Sequence, residues 1–388
     1  MTKTEPSGRG NIVMLLSNPA TFDQRPLKEA HALSKAGFRV TILAWDRELE
    51  TKSDSVYGDG LQIKRMRVGA GHGTPFLTAP KLVLFYLWCL AHLAFTRADA
   101  VHCHDVDTLP AGYAARALKL GGPKLGGPKL VYDMHDLPEA FLRFFPLTRV
   151  TQAVALSTAR RAAAAVLVVN DRFVSYLSKM GFLPSKLTVI MNAPPSVSAR
   201  KPRPKGKGLG VLYYGALSEE RGVGLLLEAL KGLDGVTLSL AGRGDLEAAV
   251  RERAAADGSV RFLGWLKMSD LEPAIRRADL IPSLYEPKSK NAQMATPGKL
   301  LTAMSLSIPT LVPRGSYQAE LVERLGCGIV VDWKSTSDVR GAVERLATDR
   351  KFYERLSSAA YEAFVSHFSW EVMESRLTEL YGTLLTSA

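Results

Sequence analysis

One pattern constrains this chain above the rest: short β-branched runs alternate with helical stretches, the alternation stops at a basic proline-rich segment, and it then starts again. In the first half, runs at 12–17, 39–44, 61–68, 100–103, 130–132, 165–169 and 187–191 read as strands, and 27–35, closed by Gly37, reads as a helix. Parallel strands need such crossover helices, because a tight hairpin joins only antiparallel neighbours. In the second half the strands fall at 211–214, 236–241, 260–262, 280–283, 310–312 and 329–331, with helices at 223–230, 246–256, 269–277 and 299–305. Between the halves, residues 194–209 combine prolines, which block regular structure, with cations that repel one another, so the segment reads as a solvated linker.

The fold class that follows is α/β: two Rossmann-like doubly wound domains facing a cleft, where ligands bind outside the carboxyl ends of the strands. A chain of 388 residues is too long for one ordinary core and suits two. The expected boundaries are 1–193 for the first domain, 194–209 for the basic Pro/Gly linker and 210–368 for the second domain. A C-terminal helix at 369–388 is placed to cross back to the first domain.

Apolar residues make up 46% of the chain and charged residues 23%, a balance that favours neither a disordered chain nor an integral membrane protein. Cys89, Cys103 and Cys327 are far apart and form no CxxC pair, which fits a reducing compartment. The N-terminus carries too short an apolar stretch for a signal peptide, so a cytoplasmic location is expected. The formal charge of +12 disfavours a cationic substrate and is compatible with nucleic acid, an anionic membrane face or an anionic substrate. Because the basic linker lacks aromatics that would stack on bases, no nucleic acid is expected. The run 82–95, which contains Trp88, is apolar almost all round but shorter than the ~20 residues a membrane span needs. It reads as a buried helix, with peripheral contact at the inner membrane face as the alternative. The immediate repeat of Gly-Gly-Pro-Lys-Leu over 121–130 reads as a lengthened surface loop without chemistry.

Polar residues at the ends of the first-domain strands are the candidates for chemistry. Asp23 and Arg25 open the first helix, where they either contact an acceptor or, for Asp23, cap the helix. His102, His104 and His135 lie at or just beyond strand ends and raise a zinc site, but no carboxylate ligand can be singled out beside them, so no metal is expected. Asp105-Val106-Asp107 imitates a metal-binding Asp-x-Asp, yet it precedes a helix beginning near Leu109, and N-capping accounts for at least one of its carboxylates.

Three stretches carry a resemblance: 23–30 (DQRPLKEA), 101–105 (VHCHD) and 131–139 (VYDMHDLPE). Together they look like the N-terminal domain of retaining GT-B glycosyltransferases of family 4, also called group 1. In that family such a histidine lies near the donor sugar and phosphate, which implies His135 as the catalytic residue; Asp23, Arg25, His104 and Asp105, by their places at strand ends and loop mouths, are the acceptor-side candidates. The second half resembles the same family over nearly its whole length. Its 213–222 (YYGALSEERG) is similar to the first donor loop, implying Gly215 and Arg221 as diphosphate contacts, and 240–245 (LAGRGD) to the next turn, implying Gly242. The stretch 296–304 (TPGKLLTAM) is similar to the donor signature, implying Thr296, Lys299, Leu300 and Thr302. Two positions depart from the pattern: Ala216 stands where the family has a second basic residue, and Thr302 where it has a ribose-binding glutamate.

The resemblance implies transfer of a sugar from a nucleotide-diphosphate sugar to an acceptor hydroxyl, with retention and with no metal or other cofactor. The acceptor is open among a natural product, a polysaccharide and a lipid-linked sugar. The alternative is a non-catalytic nucleotide-sugar-binding or partner protein on the same scaffold, and a third reading is an epimerase or a zinc hydrolase using the histidines.

Overall fold

The structure, a computed structural model, describes residues 9–21, 24–51, 54–70, 75–122, 126–137, 148–197, 208–288 and 290–386. The chain divides into two units, Met1–Met191 with Met373–Ala388, and Asn192–Val372. Asp23, residues 198–207 of the linker and residues 123–125 of the duplicated loop lie outside the described residues.

In the first unit the chain runs through β1 (Asn11–Leu16), α1 (Gln24–Lys35), β2 (Arg39–Trp45), β3 (Ser55–Val56), β4 (Gln62–Met66), α2 (Pro75–Phe95), β5 (Ala100–His104) and α3 (Leu109–Ala117). It continues through β6 (Lys129–Met134), α4 (Thr148–Ala162), β7 (Ala163–Val168), α5 (Asp171–Lys179) and β8 (Leu187–Val189). The strands form one sheet in the order β3-β4-β2-β1-β5-β6-β7-β8. Every pair is parallel except β3 with β4, a two-residue strand that the sequence pattern did not announce. The central strands β1 and β5 are buried almost throughout, which explains their continuous rather than alternating apolar character. Strand order reverses between β1 and β5, so the loop after β5 opens at a topological switch point. Register pairs Met14 with His102 across that junction, and His104 with Asp133 on β6.

The expectation of a buried helix at 82–95 needs correcting. Phe85, Cys89 and Leu93 face the core, but Val83, Leu84, Leu87 and Phe95 are exposed, so α2 hides one face only.

The second unit contains β9 (Leu209–Tyr214), α6 (Val223–Ala229), β10 (Val236–Ala241), α7 (Glu247–Ala256), β11 (Val260–Gly264), α8 (Met268–Arg277), α9 (Lys290–Met294) and α10 (Gly298–Ser305). It continues with β12 (Thr310–Pro313), α11 (Tyr317–Leu325), β13 (Gly328–Val331), α12 (Thr336–Thr348) and α13 (Arg350–Ala363), and α14 (Trp370–Thr386) begins in it. Its strands pair in parallel as β11-β10-β9 and β12-β13. Residues 280–283, expected to be a strand, make one isolated bridge, Val211 with Leu280, and Ser283 donates its amide to Leu311 O at 2.8 Å. Pro282 lies inside this segment and has no N–H to give, which interrupts the ladder. The N-caps Ser316, Ser335 and Asp349 each accept a backbone N–H three residues on, fixing the starts of α11, α12 and α13.

From Met373 onward, α14 belongs with the first unit, where Tyr381 is fully buried with its ring 6.1 Å from that of Phe38.

Candidate functional site

The ends of β5 and β6 and the start of α1 bring charged side chains together in the first unit. His102 and His104, two apart on β5, point to one face of the sheet, and their rings stack at 4.3 Å. Arg25 and Glu29 lie one turn apart on α1, and Arg25 Nε is 3.1 Å from Glu29 Oε1. Arg25 grips Asp133 with both arms, Nη2 to Oδ1 at 2.6 Å and Nε to Oδ2 at 2.9 Å, and donates Nη1 to Ile190 O at 2.5 Å. His135 Nε2 lies 2.8 Å from Asp133 Oδ2, and His104 Nδ1 lies 3.2 Å from the same oxygen. On its other side His135 Nδ1 is 3.4 Å from Asp105 Oδ2, while its amide donates to Asp105 Oδ1 at 3.3 Å. Asp105 holds this position with φ +62, a left-handed conformation that aspartate tolerates better than most side chains.

Electrostatics sort these groups. Burial works against the Arg25 charge, but Asp133 and Glu29 outweigh it and hold the guanidinium charged. Burial would raise Asp133, but Arg25 and His135 hold it well below the usual carboxylate range. Burial, reinforced by the neighbouring His102, pushes His104 down to about 3 and leaves it neutral. For His135 burial is again opposed, here by Asp133 and Asp105, and the imidazole is raised to about 9. Burial carries Asp105 up to about 7, although His135 pulls the other way. The group therefore presents an imidazolium that is 17% exposed, backed by a buried carboxylate and a buried guanidinium.

Of the residues expected here, Arg25, His104, Asp105 and His135 do converge, but two change character. Arg25 and His104 are buried, so neither offers a surface to an acceptor; Arg25 neutralises Asp133, and His104 packs beneath it. The capping account of Asp105-Val106-Asp107 also fails. Thr108 is the N-cap of α3, no side chain caps that helix, and the Thr108 hydroxyl donates to His104 O at 2.7 Å. Glu29, Asp133 and Tyr381 were not anticipated. Tyr381 Oη lies 2.8 Å from His102 Nδ1, a contact between residues 279 apart in the chain.

Glu29, His102, His104 and Asp133 place potential metal-ligand atoms within 4.8 Å of one another. Arg25, ion-paired with both carboxylates, already places one positive charge between them, and a divalent ion would have to compete with it.

The second unit gathers its candidates where two βα loops meet. Gly215 N donates to Ala241 O at 2.9 Å and Leu217 N to Arg243 O at 2.8 Å. Gly215 has φ +126 and Gly242 φ +151, and a Cβ on Gly242 would run into Gly215 O, so the loops pack backbone against backbone. Lys299 lies against this junction, with Nζ 4.7 Å from the Tyr213 ring centre, and Arg221 stacks 3.5 Å over Tyr285. Among the described residues neither cation forms a salt bridge. Burial, helped by the like charge of Arg221, lowers Lys299 to about 8. Two neighbouring cations without a carboxylate between them, beside exposed backbone, suit an anion. A cavity of about 400 Å³ adjoins them, lined by Tyr214, Ala216, Gly242, Arg243 and Trp265, with Arg243 5.2 Å over the Trp265 ring.

The other donor candidates divide. Thr302 lies beside the Tyr214 hydroxyl. Thr296 is partly exposed just before α10. Leu300 is fully buried and its amide donates to Pro297 O, so it builds the helix start and presents nothing to a ligand. Glu286, the nearest upstream glutamate, pairs with Lys288 at 2.7 Å.

Residues 24–193 match the family model described as "Glycosyl transferase 4-like domain", and residues 208–349 match "Glycosyl transferases group 1". The lipopolysaccharide core biosynthesis glycosyltransferase LpsE of Rhizobium meliloti (strain 1021) is 26% identical over 182 residues, 46% of this chain and 49% of that protein. The chain thus matches about half the length of that curated relative. Among solved structures, sucrose-phosphate synthase (tll1590) from Thermosynechococcus elongatus aligns with a TM-score of 0.74 at 16% identity, covering 97% of this chain and 100% of that one. Anabaena Alr3699/HepE, solved in complex with UDP, aligns with a TM-score of 0.71 at 15% identity over 96% of this chain and 100% of that one. At such identities the two alignments establish the GT-B fold.

Proposed function

The chain belongs to the group 1 glycosyltransferases, and from that premise we propose that it moves a sugar from a nucleoside-diphosphate sugar to an acceptor hydroxyl, with retention and without a metal. The observation that carries the donor half is the pair Arg221 and Lys299, two cations beside the Gly215–Gly242 junction, neither of which makes a salt bridge among the described residues. They neutralise the diphosphate as it leaves, which is electrostatic stabilisation of a developing charge. Arg243 and Trp265 flank the cavity where a planar base stacks. The UDP in the HepE structure makes a uridine donor the first to try.

In this reading His135, held as an imidazolium by Asp133 and Asp105, gives a proton in a hydrogen bond to the transferred sugar or the leaving phosphate. Asp105 is the acceptor-side carboxylate. The reaction is placed in the cytoplasm, where nucleotide sugars are available, and the LpsE match makes a lipid-linked saccharide the first acceptor class to test.

Ala216 and Thr302 favour a second reading, a nucleotide-sugar-binding protein without turnover, because a threonine replaces the bidentate carboxylate contact to ribose with one neutral hydrogen bond. A thermal-shift screen against nucleoside diphosphates and their sugars, in chelator, separates the outcomes. Stabilisation by one nucleotide, lost in Arg221→Ala and Lys299→Ala, supports donor binding; no stabilisation by any overturns it. Turnover then distinguishes enzyme from binder, and an inverted anomeric configuration in the product would end the retaining mechanism.

A further inference from the structure

The exposed side of α2 is as apolar as its buried side. Val83, Leu84, Leu87, Ala91, Ala94 and Phe95 are exposed, and at 3.6 residues per turn they fall within one stripe of about 120°. Phe95 is 94% exposed, so it packs on almost nothing in its own unit. The stripe does not stop at α2. Helix α3 packs beside α2 and shows Tyr113, followed by exposed Leu118; α4 packs beside α3 and shows Val150 and Val154. Single exposed apolar residues are ordinary, but a layer of three helices with its outer faces apolar marks an interaction surface.

Charge identifies the partner. None of the three helices contains an aspartate or glutamate, although the chain has 38 of them. Each helix joins strands of one parallel sheet, so all three run the same way and their C-terminal ends form one margin. Lys119, Arg160 and Arg161 stand exposed along that margin, with Arg97, which also lies 3.4 Å from Asp99. A second copy related by a two-fold axis parallel to the helices would set these cations against their own images, whereas anionic lipid meets them with opposite charge in any orientation about the membrane normal. No helix among the described residues is long and apolar enough to cross a membrane, so contact lies at the surface.

We propose that the outer face of α2, α3 and α4 rests on an anionic lipid surface, the apolar stripe entering the headgroup region and the cationic margin meeting lipid phosphates. The two halves of the contact reinforce each other, because buried apolar area and attraction to anionic lipid add. This surface is independent of the nucleotide-binding reading and stands or falls without it.

The test is cosedimentation of the full chain with phosphatidylcholine vesicles, with and without phosphatidylglycerol. Binding is expected only with phosphatidylglycerol, and it falls at high salt. Leu87→Glu and Phe95→Ser are expected to reduce it by about tenfold each while the unfolding temperature stays put, since both positions are exposed. Arg160→Glu combined with Arg161→Glu is expected to reduce it similarly. If the wild-type protein does not bind at low salt, or if Phe95→Ser binds as wild type does, the proposal is wrong. A concentration-dependent dimer that Leu87→Glu disperses, in protein that ignores vesicles, assigns the face to a second copy and equally overturns it.

Discussion

His135 Nε2 lies 2.8 Å from Asp133 Oδ2, and that oxygen also receives Arg25 Nε at 2.9 Å. That buried carboxylate oxygen thus orients the histidine two residues along the chain and, together with Asp105, holds its charge. Because Asp133 is itself pinned by a guanidinium, it cannot turn away when His135 loses its proton.

The proton on His135 is expected to persist to about pH 9. A folded-state value raised above the ordinary 6.5 contributes stability that is complete below 6.5 and is lost as pH rises through about 9. Ring-proton NMR titration measures it. Asp105→Asn should lower the value and Asp133→Asn should lower it more; an ordinary value in the wild-type protein contradicts the geometry.

Removing Arg25 should cost far more than a lost surface charge. Arg25→Met leaves Glu29 buried without Arg25 and Asp133 with His135 as its remaining cation, and breaking a buried ion pair from one side typically costs about 3–5 kcal/mol. Arg25→Lys should recover only part of this, because an ammonium cannot span Asp133 with two parallel hydrogen bonds. Urea denaturation reads both.

The diphosphate contacts can be separated from the base. Arg221→Ala and Lys299→Ala should each weaken nucleoside-diphosphate binding by about 1.5–3 kcal/mol, the range for hydrogen bonds to charged groups, and leave nucleoside binding nearly unchanged. Lys299, held near 8, should also make wild-type affinity fall as pH rises from 7 to 9, a slope that Lys299→Met abolishes. Calorimetry with the nucleotide and the free nucleoside decides the matter.

Gly242→Ala should abolish nucleotide binding before it unfolds the protein. Its Cβ would collide with Gly215 O, and its φ of +151 adds strain of about 1–3 kcal/mol. The loops must separate, carrying Gly215 away from Lys299. A variant that melts slightly early and still binds nucleotide normally would show that the junction is not part of the site.

Most strands were legible because burial on both faces writes them as unbroken apolar runs; 236–241 coincides with β10 at both ends. The segment 280–283 reads as the same kind of run, and only Pro282 distinguishes it, through a hydrogen bond it cannot make. Helices 317–325 and 336–348 were not anticipated, although Leu321 with Val322, and Val339 with Val343 and Leu346, carry a helical period. In the site, the resemblance carried by 131–139 and 213–222 singled out His135 and Arg221. It was silent on Glu29, which resembles any polar residue on a surface helix, and on Tyr381, whose partner His102 is brought to it by tertiary structure alone. Burial was the missing information for Arg25 and His104 as well, since a charged residue at a loop mouth and one pinned beneath the sheet edge look alike in sequence.

The return of residues 373–388 to the first unit affects how the protein is made. When the ribosome has released only residues 1–191, the pocket that Tyr381 fills beside Phe38 and His102 is open, and this unit lacks its last helix. The second unit, contiguous from 192 to 372, can finish first. Order of synthesis therefore need not set the order of completion here: of the two units, the one whose strands are made earlier closes later, after its own interior has waited through the synthesis of the other.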